Sequence, residues 1–326
     1  MAKRDEAARI DQEKVRLEAS AIPKLKKIFS NMASDAQALY TVNGSIPTDE
    51  LSQNYYPEFL KEIRDIMRKS IKFFGFNIRG ILEKKHGVFF DVEYKKESFD
   101  LQFKKLTTIN DPALDTKLNT INNEFMREVT LFVANQSENQ ARFITDTNAK
   151  EIFKALSEEQ EKFRIDLEAQ AARISDLESQ PISPKVTRQL ELARRQLSAS
   201  QFGERQIIGK NLKANLVEKS ISRSDLIASQ NIGLAEAWAR QTEGKLINDA
   251  KLATATGKIA KVVKTWIAIL DTKTRLSHAE ADFQQVNIDD SYSVNGEALL
   301  YPRDPKGSAG NIINCRCVSN QEVELE

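Results

Sequence analysis

A helical rhythm of apolar residues between positions 113 and 200 limits the fold of this chain more than any other feature. Over 113–155 Leu118, Ile121, Phe125, Val129 and Phe132 recur at helical spacing, with Asn, Gln and Thr crowding the other side. From Leu156 onward the steps alternate between three and four residues. Leu156, Phe163, Leu167, Ile174 and Leu177 hold the apolar steps, while Gln160 and Gln170 hold polar ones, which is the rhythm of a coiled coil. Pro181 and Pro184 halt it, because proline removes a backbone donor and clashes with the preceding turn. Val186, Leu190, Ala193 and Leu197 then resume it. Two helices with matching stripes and a proline break between them predict an antiparallel helical hairpin whose tip is Gln180-Pro-Ile-Ser-Pro184. Its outer faces are almost wholly polar, so the expectation is a hairpin that projects from the body; the alternative is one packed flat on its own domain.

Other helical stretches flank this one. Residues 2–40 predict an amphipathic helix with Ile22, Leu25, Ile28 and Phe29 on its apolar side and a kink or division at Pro23. Its first twenty residues mix both charges, which reads as a solvated helix or flexible arm; the functional alternative is an arm that orders on a partner. The turn-rich segment TVNGSIPTDE follows, and Thr48 or Asp49 can cap the next element. From Pro57 to about Lys85, Phe59, Leu60, Ile63, Ile66, Met67 and Ile71 again follow helical spacing. Lys61, Arg64, Arg68, Lys69 and Lys72 give that helix a basic side, continued by Arg79, Lys84 and Lys85, and make it the candidate surface for DNA or partner contact. Glu58, Glu62 and Asp65 interleave with these cations, so an ordinary solvated face is the competing reading. Gly87–Lys105 carries a two-residue alternation that favours a short hairpin, with helix as the alternative, and His86 stands at an expected helix end. Residues 202–250 predict one or two helices, with Leu226, Ile227, Ile232, Leu234, Ala235 and Trp238 forming a docking face and Gly244 and Gly257 marking breaks.

Composition narrows the class. The 326 residues contain 48 Lys and Arg against 47 Asp and Glu, so any contact with nucleic acid must be local rather than driven by a global field. The two cysteines make no disulfide framework and point to a reducing, cytoplasmic origin. The N-terminus lacks the apolar core of a signal peptide, and no run approaches the roughly eighteen apolar residues of a membrane span.

Chemistry-bearing residues gather in the last sixty positions. VVKTWIAIL, residues 262–270, predicts a buried strand. In the charged segment that follows, His278 and Asp282 are four apart and share a face if it is helical. Tyr301-Pro-Arg-Asp-Pro-Lys-Gly307 is turn chemistry, after which the chain is expected to re-enter a strand at Ile312. On that strand Cys315 and Cys317 would point to one side, where zinc could be held with His278 and Asp282 completing the shell. The spacing argues weakly for it, since structural zinc motifs leave roughly two to four residues between cysteines. The competing reading is two half-buried strand cysteines and a histidine that hydrogen-bonds the fold. A disulfide between residues two apart on a strand is disfavoured by its Cα spacing. No phosphate-cradling Gly-rich loop, GxSxG elbow or HExxH is present.

Trp266, Asp271, Thr274, Arg275, Ser277, His278, Asp282, Tyr301, Pro302, Asp304, Asn314, Cys315, Arg316 and Cys317, in this order and spacing, resemble the signature of the phage Mu protein F-like family, the head morphogenesis or minor head proteins of tailed bacteriophages. The helix around Arg223–Gly233 is similar to the family's preceding helix. Lys273 stands where the family usually has arginine, Leu276 where it tends to have proline, and Phe283 and Arg303 where glycine is common. The resemblance implies a structural protein of the virion head rather than an enzyme, assembled in the host cytoplasm. It implies association with the portal protein and other head proteins at the portal vertex, and a part in capsid assembly and in packaging or delivery of viral DNA. Some such proteins carry a toxin domain after this module; here nine residues follow Cys317.

The expected fold is α+β: a predominantly α-helical N-terminal two thirds with a coiled-coil-like hairpin, and a small α+β C-terminal module. The expected divisions are an N-terminal helical region at 1–155, the hairpin at 156–200, connecting helices at 201–258 and the C-terminal module at 259–326. Two other functions stay open from the residues alone: an enzyme using His278, Cys315 and Cys317 with or without metal, and a coiled-coil adaptor.

Overall fold

The computed structural model describes residues 2–75, 90–94, 101–105, 112–251 and 259–325. Among them the protein is mostly helical with small antiparallel sheets, an α+β architecture. The helices are α1 (Ala2–Asn43), α2 (Thr48–Asn54), α3 (Tyr56–Phe74), α4 (Pro112–Ser179), α5 (Pro184–Phe202), α6 (Glu204–Asp249), and two short ones, α7 (Leu276–Glu280) and α8 (Ala309–Ile312). The strands are β1 (Phe90–Tyr94), β2 (Leu101–Lys105), β3 (Ala260–Ile267), β4 (Gln285–Asn287), β5 (Tyr292–Val294), β6 (Glu297–Leu299) and β7 (Val318–Leu325). β1 and β2 pair antiparallel, as the alternation there predicts. His86, Arg79, Lys84, Lys85 and Gly257 lie outside the described residues.

Two compact units are each assembled from separated stretches rather than from consecutive ones. One comprises residues 1–22, 63–138 and 225–326; the other comprises 23–62 and 139–224. In the second, Phe29 and Phe59 pack ring to ring at 5.0 Å and the Tyr55 hydroxyl donates to Asp35 at 2.6 Å. Here the helical hairpin is formed by the end of α4 and by α5. Arg194 pairs with Glu178 at 2.6 Å and Ser200 meets Gln170 at 3.4 Å, contacts whose order shows the antiparallel course. Leu177 and Ala193 are buried on its seam and the residues between seam positions are exposed. Ser183 caps α5 by accepting from the Val186 N–H at 3.2 Å, and Pro184 opens the helix with its φ already suited to it.

The first unit holds the C-terminal module. The start of α1 is packed here instead of forming a solvated arm, because its charged sequence conceals a helical stripe, Ala7, Ile10, Lys14 and Ala21, all buried. The Lys14 ammonium reaches Glu236 of α6 at 3.0 Å, and Glu236 in turn lies 3.6 Å from Arg240. Pro23 does not break α1, which continues to Asn43; the change between units falls at this proline. Likewise Gly244 is buried inside α6 rather than ending it. Trp238 on α6 stacks on Phe132 of α4 at 4.0 Å, whereas Leu226, expected on the same face, is exposed.

β3 is the central strand of a three-stranded antiparallel sheet ordered β4-β3-β7, with Trp266 opposite Ser319. It is buried along nearly its whole length, as an apolar run with neighbours on both edges requires, but it ends at Ile267. β5 and β6 form a hairpin whose turn residues, Asn295 and Gly296, both have positive φ, the conformation that matches strand twist in a two-residue turn.

Candidate functional site: a buried histidine and two cysteines

β3, α7 and the segment entering β7 converge on one core of Trp266, Ala268, Ala281, Tyr292, Val294, Leu299, Cys315 and Cys317. Trp266 meets the His278 ring edge-on at 5.7 Å and Tyr292 at 5.2 Å, and the Tyr292 hydroxyl lies 2.8 Å from Ser319 Oγ. His278 comes from α7 and is buried. The expected strand at Ile312 is instead the short helix α8, followed by Asn314 at φ +56 and an irregular Cys315–Cys317 segment before β7. The left-handed residue turns the chain so that both sulfurs face the imidazole, which strand alternation alone was expected to do.

His278 Nδ1 lies 3.4 Å from Cys317 Sγ and 3.6 Å from Cys315 Sγ. All three side chains are at least 96% buried, and their ligating atoms lie within 4.8 Å of one another. Both cysteines are free thiols. The two share ionisation: the hydrogen bond from Cys317, aided by His278 and Arg303, pushes Cys315 well below the ordinary thiol range, and the same bond, with burial, pushes Cys317 up.

Asp282 does not join them. α7 stops at Glu280, and the Asp282 carboxylate turns away to accept from the Ala268 N–H at 2.8 Å and to pair with Arg4 at 2.6 Å. The shared helix face on which a fourth ligand was expected therefore does not exist.

The remaining signature residues hold the loops around this core. Asp271 accepts from the Lys273 N–H at 2.9 Å and takes a two-oxygen contact from Arg316, which holds its carboxyl down at about 2. Thr274 Oγ1 donates to Ile269 O, and Arg275 donates to Ile313 O. Ser277 lies in α7, where its carbonyl accepts from the Ala281 N–H at 3.2 Å. Tyr301 and Pro302 are buried, and Asp304 accepts from the Leu300 and Lys306 N–H groups at 2.9 and 3.1 Å. Thr274, Arg275, Asn314 and Arg316, with Lys273, also line a small recess that opens on the His278, Cys315 and Cys317 side chains.

Two buried cations, Lys264, which the sequence reading did not single out, and Arg303, hold the module together. Lys264, buried on the central strand, donates to Gln241 Oε1, Ile288 O and Leu300 O at 3.0, 2.8 and 2.8 Å, and burial lowers its pKa to about 8. Arg303, 5% exposed, donates to the carbonyls of Cys315 and Ser229. Its φ is +68 and that of Phe283 is +63, which gives a physical sense to the two places where the sequence departs from glycine. A periodicity analysis cannot find a buried lysine or arginine, since it scores them as surface.

On the basic side of α3, part of the candidate surface has partners on α4. Arg64 donates to Ser137 at 3.2 Å and lies 3.6 Å from Glu138. Lys61, Arg68, Lys69 and Lys72 are exposed.

The fold and the knit of loops around a buried His/Cys core define a small α+β structural module appended to long helices. The family model described as phage Mu protein F like protein matches residues 206–320 of this chain, the stretch that holds the signature residues. A curated relative, NAD(+)--arginine ADP-ribosyltransferase EFV of Enterococcus faecalis, is 33% identical over 63 residues, which span 19% of this chain and 13% of that protein. No solved structure matches the chain. No helix among the described residues is long and apolar enough to cross a membrane.

Proposed function

We propose that the protein is a minor head protein of a tailed bacteriophage that docks at the portal vertex of the procapsid and takes part in head assembly and in packaging or delivery of the DNA. The observation that carries this reading is the family match over 206–320, where the signature residues are the ones that close the loops of the C-terminal module. Head and capsid proteins are the partners such a family implies. The module itself supplies rigidity, and the helical hairpin, with exposed apolar residues Ile165, Ile182, Leu192 and Phe202 on otherwise polar arms, supplies surface for a partner. The transferase activity named for the enterococcal relative is not proposed here, because the match covers 13% of that protein.

Quantitative mass spectrometry of purified proheads and virions, beside a pull-down with the portal protein of the same phage, tests the role. A few copies per particle and retention on portal are expected. Absence from particles together with no portal retention would refute it.

A further inference from the structure

We propose that His278 Nδ1, Cys315 Sγ and Cys317 Sγ form a three-point site for one borderline divalent transition ion, zinc foremost, with the fourth position filled by water from the adjoining recess. The inference is independent of the head-assembly reading.

The distances carry it. Zinc bonds sulfur at about 2.3 Å and imidazole nitrogen at about 2.0–2.1 Å, so a tetrahedral centre places each sulfur about 3.5 Å from the nitrogen. The two observed separations are 3.4 and 3.6 Å, and the three donor atoms lie within 4.8 Å of one another. Hydrogen bonding alone accounts for this less well. A neutral imidazole nitrogen has one lone pair and accepts one S–H, yet both sulfurs converge on the same Nδ1. An ion bonded to all three atoms takes one lone pair from each. The proton then resides on Nε2, which is buried beside Trp266 and makes no hydrogen bond.

The donor set is soft sulfur plus imidazole, which selects zinc or a similar ion over magnesium or calcium. Among the described residues no fourth cysteine, histidine or carboxylate reaches the group, since Asp282 is held by Ala268 and Arg4. The recess side is lined by Lys273, Thr274, Arg275, Asn314 and Arg316, none of which is an ordinary zinc ligand, so solvent takes the open position. Such an ion ties α7 to the segment entering β7, across 37 and 39 residues of chain. Binding would therefore be coupled to the folding of the module.

The test uses the intact chain. Elemental analysis after purification with zinc present is expected to give one ion per chain, and X-ray absorption at the zinc edge two sulfur and two lighter neighbours. Cobalt substitution should show thiolate charge-transfer bands and the intense visible bands of a tetrahedral ion. Cys315→Ser and Cys317→Ser should lose the ion, while a folded Asp282→Asn protein should keep both ion and spectrum. The wild-type spectrum decides even if the cysteine variants fail to fold. A folded wild-type protein that takes up neither zinc nor cobalt, a bound ion with no sulfur neighbours, or loss of the ion from folded Asp282→Asn would each overturn the proposal.

Discussion

Gly233→Ala separates helix propensity from packing, because the two predict opposite signs. Gly233 lies inside α6, where alanine should stabilise the helix by about 1 kcal/mol. A Cβ there would overlap the Arg303 guanidinium, running into Nη1 and Cζ and standing 2.8 Å from Nε. The guanidinium is the end of a flexible side chain, yet it is buried and bonded to the carbonyls of Ser229 and Cys315. Moving it breaks at least one of these bonds, each worth about 1.5–3 kcal/mol when the donor is charged, and leaves a buried charge less satisfied. The loss outweighs the propensity gain, and we expect Gly233→Ala to destabilise the first unit by about 2–4 kcal/mol. Both tryptophans of the chain, Trp238 and Trp266, lie in that unit, so their fluorescence during urea unfolding reports it directly. In an Arg303→Met background the penalty should vanish and alanine should become neutral or stabilising. A Gly233→Ala protein as stable as wild type, or an equal penalty in both backgrounds, would refute the argument.

Two further outcomes follow from named contacts. Asp271 has a folded pKa of about 2 against an ordinary 3.8, so its pairing with Arg316 contributes stability above the ordinary value and loses it as pH falls toward about 2; Asp271→Asn should flatten that part of the acid-unfolding profile, and an unchanged profile would show that the pairing contributes nothing. Ser183→Ala removes the cap of α5 and should cost about 1 kcal/mol of hairpin stability, seen as faster proteolysis within 180–183, while cleavage elsewhere stays unchanged.

The helical course of the N-terminal two thirds was legible in the sequence, because a 3.6-residue repeat of apolar positions survives any tertiary context that buries one face. The hairpin was legible too: among its seam positions Leu156, Phe163, Leu177 and Ala193 are buried, and the chain turns between Ser179 and Pro184, where the prolines stop the rhythm; the Ser183 cap was not foreseen. The signature residues of the last sixty positions were also legible, and the buried strand at Val262 with them. The packed start of α1 was not, since its stripe is diluted by charges such as Lys14 that are buried only because Glu236 comes from a residue more than two hundred positions away.

By itself, then, the sequence determined which segments are helix, where the hairpin turns, and which family the C-terminal module resembles, since these depend on local repeats and on residue order. Tertiary structure alone decided that α7 ends before Asp282, that Asn314 takes a left-handed turn aiming both thiols at one imidazole nitrogen, and that Gly233 is empty so that Arg303 can be buried. Those outcomes depend on where distant donors and acceptors arrive in space, and one-dimensional spacing carries no record of that.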